Sequence, residues 1–226
     1  IVPIQSAELA VEEIERCAPD KRFVQILLLV MGETPLGRRH HWPIYAAAEK
    51  HGLPIGIHAG SSYRHPPTPV GWPSTTAEDY VNQSIAFQSQ LASLLSEGVF
   101  KKFPGLTVVL LESGISWLPS FVWRFKKYWR GLTMEIPWVD RPPNEIIAEQ
   151  VRFSLQPFDG PADETEVSKL FDHFGSDDLI VFSTDYPHWQ FEGTDAIPSG
   201  ISPELARKIM IDNPLSTYPR LKEARS

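Results

Sequence analysis

Short apolar runs separated by segments of helical spacing constrain this chain more than any other feature of its sequence. The runs cover residues 1–4, 23–30, 54–58, 106–111, 151–155 and 179–182. Runs that are apolar without alternation belong to strands covered on both faces, as in parallel sheets. Between them the spacing changes to that of helices. Residues 7–17 place Leu9, Ala10, Ile14 and Cys17 on one face behind Ser6, a candidate N-cap. Residues 42–50 end at His51-Gly52, where glycine supplies a left-handed cap. Further helices are predicted over residues 77–95, 117–129, 142–150, 164–174, 202–211 and 215–225. The long loop 59–76, rich in proline and serine, has the length of a substrate lid.

This alternation predicts an α/β chain with a parallel sheet, in one domain over residues 1–226. A doubly wound nucleotide-binding sheet would carry a glycine-rich turn after an early strand, and none is present. The other solution is a (β/α)8 TIM-like barrel, which needs eight strand-helix units. Six are readable, and the chain opens on Ile1 rather than Met, so the expectation is that roughly the first two units lie upstream.

Composition excludes several functions. With 21 Lys and Arg against 28 Asp and Glu, the formal charge of −7 offers no basic surface for a phosphate backbone, so no nucleic-acid partner is expected. The longest apolar stretch is too short to cross a bilayer, so no membrane partner is expected either. One cysteine, Cys17, precludes an internal disulfide framework and any Cys-x-x-Cys site, which fits a reducing, cytoplasmic location.

Active sites of parallel α/β folds lie at the carboxyl ends of the strands, so polar residues that end apolar runs carry the functional reading. His58, Glu112 and Asp185 each hold such a place. Singly, the histidine reads as a hydrogen-bonded structural residue and the two acids as helix caps or turn starters. Together, an imidazole and two carboxylates at one end of successive strands suit a hard or borderline divalent cation. His40-His41 does not supply a further ligand pair, because adjacent histidines on an extended chain point to opposite faces. Tyr63, Arg64, His65 and Trp72 in the long loop, with Trp117, His188 and Trp189 beyond the strand-end acids, offer an aromatic pocket with a cation for a substrate carboxylate.

The segments Phe103-Pro-Gly-Leu-Thr-Val-Val-Leu-Leu-Glu112-Ser-Gly114-Ile-Ser-Trp117-Leu-Pro119 and Phe182-Ser-Thr-Asp185-Tyr-Pro187-His188-Trp189 resemble the sixth- and eighth-strand signatures of the amidohydrolase-2 family. Gly52-Leu-Pro-Ile-Gly-Ile-His58 is similar to its fifth-strand segment. The resemblance implies a distorted barrel holding one divalent metal, zinc or manganese, with His58 as a ligand and Asp185 as a ligand or general base. It also implies a small-molecule substrate, a possible homodimer, and a metal-dependent hydrolase or lyase acting on an aromatic or unsaturated carboxylic acid or lactone. The alternatives are a nonoxidative decarboxylase of the same family and a noncatalytic barrel. Glu112 stands where characterised decarboxylases of the family carry a histidine, and the family's paired first-strand ligands have no counterpart in these residues. A carboxylate beside a cation tends to stay ionised, as ligand or base. No Gly-x-Ser-x-Gly elbow supports a serine hydrolase.

Overall fold

The computed structural model describes residues 1–223. Five strands form one sheet: β1 (Ile26–Met31), β2 (Ile55–Ser61), β3 (Val108–Leu111), β4 (Val151–Ser154) and β5 (Ile180–Val181). All neighbours are parallel and the spatial order is the sequence order. A doubly wound sheet reverses its strand order at a switch point, whereas a barrel adds each strand beside the last. The uninterrupted order is thus that of consecutive strands of a (β/α)8 barrel.

The connecting helices are α1 (Ala7–Cys17), α2 (Trp42–His51), α3 (Thr76–Ser96), α4 (Val99–Lys102), α5 (Leu118–Leu132), α6 (Pro143–Gln150) and α7 (Glu164–Phe174). Local chemistry sets their ends. Ser6 accepts the Leu9 amide at the start of α1, and Gly52 closes α2 at φ 59°. Thr75 and Glu78 exchange reciprocal hydrogen bonds as a capping box on α3. Side chains on one face of the strands, among them Leu28, Val30, Ile55, Ile57, Val108, Leu110 and Phe153, are buried in the main hydrophobic cluster with residues of α2 to α6.

Three expectations need correction. Residues 1–4 form no strand: Val2 donates a single backbone bond to Leu27 O, and Pro3 has no N–H with which to extend a ladder. Leu9 does not join the buried face of α1; it is 54% exposed, while Ala10 and Ile14 carry the packing. The segment predicted as one helix over 202–211 is α8 (Pro203–Arg207) followed by a π-helical turn, Lys208–Asp212. Beyond it lie α9 (Asn213–Thr217) and α10 (Pro219–Glu223), and the predicted end of the last helix at Arg225 falls outside the described residues. In α10, Arg220 is buried and donates to the carbonyls of Ala18, Asp20, Phe23 and His51, tying the end of the described chain to its beginning. Among the described residues no helix is long and apolar enough to cross a membrane.

Candidate active site

Strand register brings the candidate residues to one end of the sheet. His58 pairs with Leu111, the residue before Glu112, and Ser154 pairs with Val181. Asp185 follows four residues after the end of β5, so the three ionisable groups come from the carboxyl ends of β2, β3 and β5.

His58 and Glu112 form an ion pair, Nε2 to Oε1 at 2.8 Å. The other ring nitrogen, Nδ1, lies 2.7 Å from Ala59 O. A carbonyl and a carboxylate oxygen are both acceptors, so this arrangement favours the protonated ring. The hydrogen bond with Glu112 is the main reason its pKa is raised, opposed by burial. Reciprocally, the His58 bond holds Glu112 below the usual carboxylate range. Asp185 moves the other way: burial raises it, and the neighbouring Glu112 charge raises it further. Of the two carboxyls, Asp185 therefore keeps a proton to the higher pH. His188 Nδ1 stands 3.2 Å from Asp185 Oδ2 but out of line, so both buried atoms lack a hydrogen-bond partner.

Glu112 and Asp185 sit at φ 56° and 57°, a left-handed conformation that costs a non-glycine residue about 1 kcal/mol or more. A hydroxyl at the neighbouring strand end holds Glu112 there. The Glu112 amide donates to Ser154 Oγ at 2.9 Å, Ser154 donates on to Gln156 O, and the Gln156 amide donates to Ser183 Oγ at 2.9 Å. The turn after Glu112 is held by Trp117, whose indole N–H donates to Ser113 O. Asp159 holds it as well, accepting from the amides of Ile115 and Ser116 and from the Ser116 hydroxyl.

A cavity of about 900 Å3 opens beside this cluster, between the long loop, α3 and the turn after β3. Tyr63, Trp72 and Tyr80 supply aromatic surface, and Asp79, Glu112 and Asp159 supply carboxylates. Of the residues expected to contact a substrate, Tyr63 and Trp72 line the cavity. Arg64 does not: its Nε is 3.2 Å from Glu33. His65 lines a separate pocket of about 200 Å3. Trp117 is 7% exposed and packs edge-on against Phe121 and Phe153, so it supports the site from within the core. Trp189 is exposed and meets Tyr80 edge-on at 6.0 Å, with His188 behind it. The histidine pair also differs from expectation. Residues Arg39–His41 form a 3-10 turn rather than extended chain, so the rings of His40 and His41 lie 3.9 Å apart, both touching Thr34 Oγ1.

Sequence reasoning missed Ser154, Ser183 and Asp159. Ser154 and Ser183 are polar residues at the ends of apolar runs and were detectable by the rule that found His58, but Asp159 carries no local signal.

With Nδ1 pinned to a carbonyl, Nε2 is the atom His58 can offer a metal, and ligation there would replace its proton and its bond to Glu112. With the partnerless Asp185 Oδ2 beside Glu112, the donor chemistry fits a divalent cation. Among the described residues, no three His, Cys, Asp or Glu side chains converge in ligating geometry.

Five consecutive barrel strands with an acid-imidazole cluster at their carboxyl ends define a class, and sequence comparison gives it a name. The chain belongs to the Amidohydro_2 family of amidohydrolases, whose profile matches residues 1–220. It is 26% identical over 208 residues to a gamma-resorcylate decarboxylase of Rhodococcus jostii, a match covering 82% of this chain and 58% of the relative. The chain thus spans a little under three fifths of that relative's length. Its fold superimposes on an amidohydrolase of Mycobacterium avium subsp. paratuberculosis with a TM-score of 0.74 and 25% identity, over 96% of this chain and 56% of the other. A dihydroxybenzoic acid decarboxylase of Polaromonas, solved with manganese and the inhibitor 2-nitroresorcinol, matches with a TM-score of 0.67 and 22% identity, over 97% of this chain and 68% of the other.

Proposed function

We propose that this chain carries the carboxyl-end catalytic groups of a metal-dependent, nonoxidative decarboxylase of a small carboxylated aromatic acid. The observation that carries the reading is Glu112, an acid on the wall of an aromatic-lined cavity, paired with His58 at 2.8 Å and set beside Asp185, whose pKa moves the opposite way. The decarboxylase relatives support this choice over the hydrolysis that the sequence alone favoured.

His58 and Asp185 would hold the cation, zinc or manganese, and the manganese in the Polaromonas structure supports a divalent ion. When bound, it supplies positive charge that neutralises the substrate's carboxylate or a neighbouring phenolate. The chain's residues then manage one proton. As CO2 departs, the electron pair of the broken carbon-carbon bond stays on the ring carbon and must be protonated. The proton held between Asp185 and Glu112 is delivered there, and the pair is recharged from solvent. Tyr63, Trp72 and Tyr80 orient the ring and reduce its contact with water.

A hydrolytic reading keeps one argument: an ionised Glu112 in place of histidine suits a base that takes a proton from water. One experiment separates the two. The complete protein, as its gene encodes it, is loaded with Mn2+ or Zn2+ and offered a panel of hydroxybenzoates and aryl lactones. Decarboxylation predicts CO2 release with about one metal per chain. Lactone opening without CO2 release would overturn it in favour of hydrolysis, and a folded protein that retains no metal and turns over neither would favour a noncatalytic barrel.

A further inference from the structure

The geometry points to Asp159 as the positioning residue for Glu112, and this inference rests on the proposed acid-base role of Glu112. Asp159 lies beyond β4, on a different strand-to-helix loop from Glu112, and its carboxylate spans the turn that follows Glu112. Oδ1 accepts the amides of Ile115 at 2.7 Å and Ser116 at 3.0 Å, and Oδ2 accepts the Ser116 hydroxyl at 2.7 Å. These amides lie just before α5, where the helix dipole adds to their attraction for an anion.

The turn is shaped around that carboxylate. Gly114 sits at φ 65°, and a Cβ built on it would lie 2.3 Å from Asp159 Oδ2. Any side chain at 114 would expel the carboxylate, so the missing Cβ and the acid are two halves of one contact. On the other side of Glu112, Ser154 Oγ accepts the Glu112 amide. The strained residue is thus gripped at its own N–H by β4 and at the following amides by the loop after β4. With both grips in place, the Glu112 carboxylate meets His58 at 2.8 Å. Without Asp159, Glu112 is free to relax to negative φ, which swings its side chain away from His58.

The test is a double-mutant cycle of D159A and E112Q in the complete, metal-loaded protein, with D159N as the conservative variant. D159N keeps one acceptor oxygen for the two amides. Misplacing a reacting group by about 1 Å costs roughly 100-fold in rate. D159A is therefore expected to lower kcat for CO2 release roughly 100-fold with KM nearly unchanged, and D159N to lower it less. In the E112Q background D159A should add under threefold, because the residue it positions is already disabled. Full additivity of the two losses overturns the proposal. A crystal structure of D159A is the second readout, expected to show Glu112 at negative φ and its carboxylate withdrawn from His58. An unmoved Glu112 overturns the proposal. If the parent protein releases no CO2, the decarboxylase reading falls, and the D159A structure alone decides the role of Asp159.

Discussion

Acid should weaken this protein through His41. The residue is 3% exposed, its Nδ1 is buried without a partner and its Nε2 faces Thr34 Oγ1. Burial, with a smaller contribution from His40, lowers its pKa from 6.5 to about 4. The folded state thus holds His41 neutral while the unfolded chain takes up a proton below pH 6.5. Stability from this group is complete above that pH and is lost between pH 6.5 and 4. At pH 5 the unfolded chain is almost fully protonated and the folded site about one tenth, which costs about 2 kcal/mol, with a ceiling of about 3 kcal/mol at lower pH. For a domain of this size that corresponds to a fall in Tm of roughly 4–8 °C. Urea unfolding at pH 8, 6.5 and 5 of the parent and of H41Q, which cannot titrate, isolates the contribution from other groups. The parent should lose about 2 kcal/mol more than H41Q between pH 8 and 5. Parallel losses in the two proteins would refute the reasoning.

The site gives further predictions. S154A leaves the Glu112 amide without its acceptor and should destabilise the fold by about 1–3 kcal/mol in urea unfolding. H58A should reduce retained Mn2+ or Zn2+ from about one equivalent to under a tenth by elemental analysis, since no other imidazole faces Glu112 as an ion-pair partner among the described residues. W117F removes the indole donor to Ser113 O from a core position and should cost about 1–2 kcal/mol with substrate KM unchanged. R64A should leave KM within about twofold, because that guanidinium is engaged by Glu33 outside the cavity.

Much of the fold was legible because it depends on local pattern. The five runs that became strands announce themselves by mainly apolar sequence, and the caps at Ser6 and Gly52 follow from side-chain and backbone chemistry within one turn. The run at residues 1–4 misled because hydropathy does not register the donor missing from Pro3. At the site, the strand-end rule located His58, Glu112 and Asp185, but not how they pair, which register and φ decide. Trp117 and Arg64 show the limit of residue type as a guide. An indole and a guanidinium near a motif suit ligand binding, yet one faces Phe153 and the other Glu33. The bond from Asp159 to Ile115 joins residues 44 positions apart, and no periodicity encodes such a pairing.

The left-handed backbone at Glu112 bears on how chemistry can change in this fold. Among non-glycine residues, histidine, asparagine and aspartate enter that conformation more readily than most, whereas β-branched residues are nearly barred from it. The slot at the end of β3 thus accepts histidine in place of glutamate without rebuilding the strand end, since Ser154 and Asp159 grip only backbone and turn atoms. A single codon position there can trade an anionic group for an imidazole while the scaffold stays fixed. Descent within the family can explore different proton chemistries by substitution at one residue, with the hydroxyl and carboxylate supports acting as a socket indifferent to what they present.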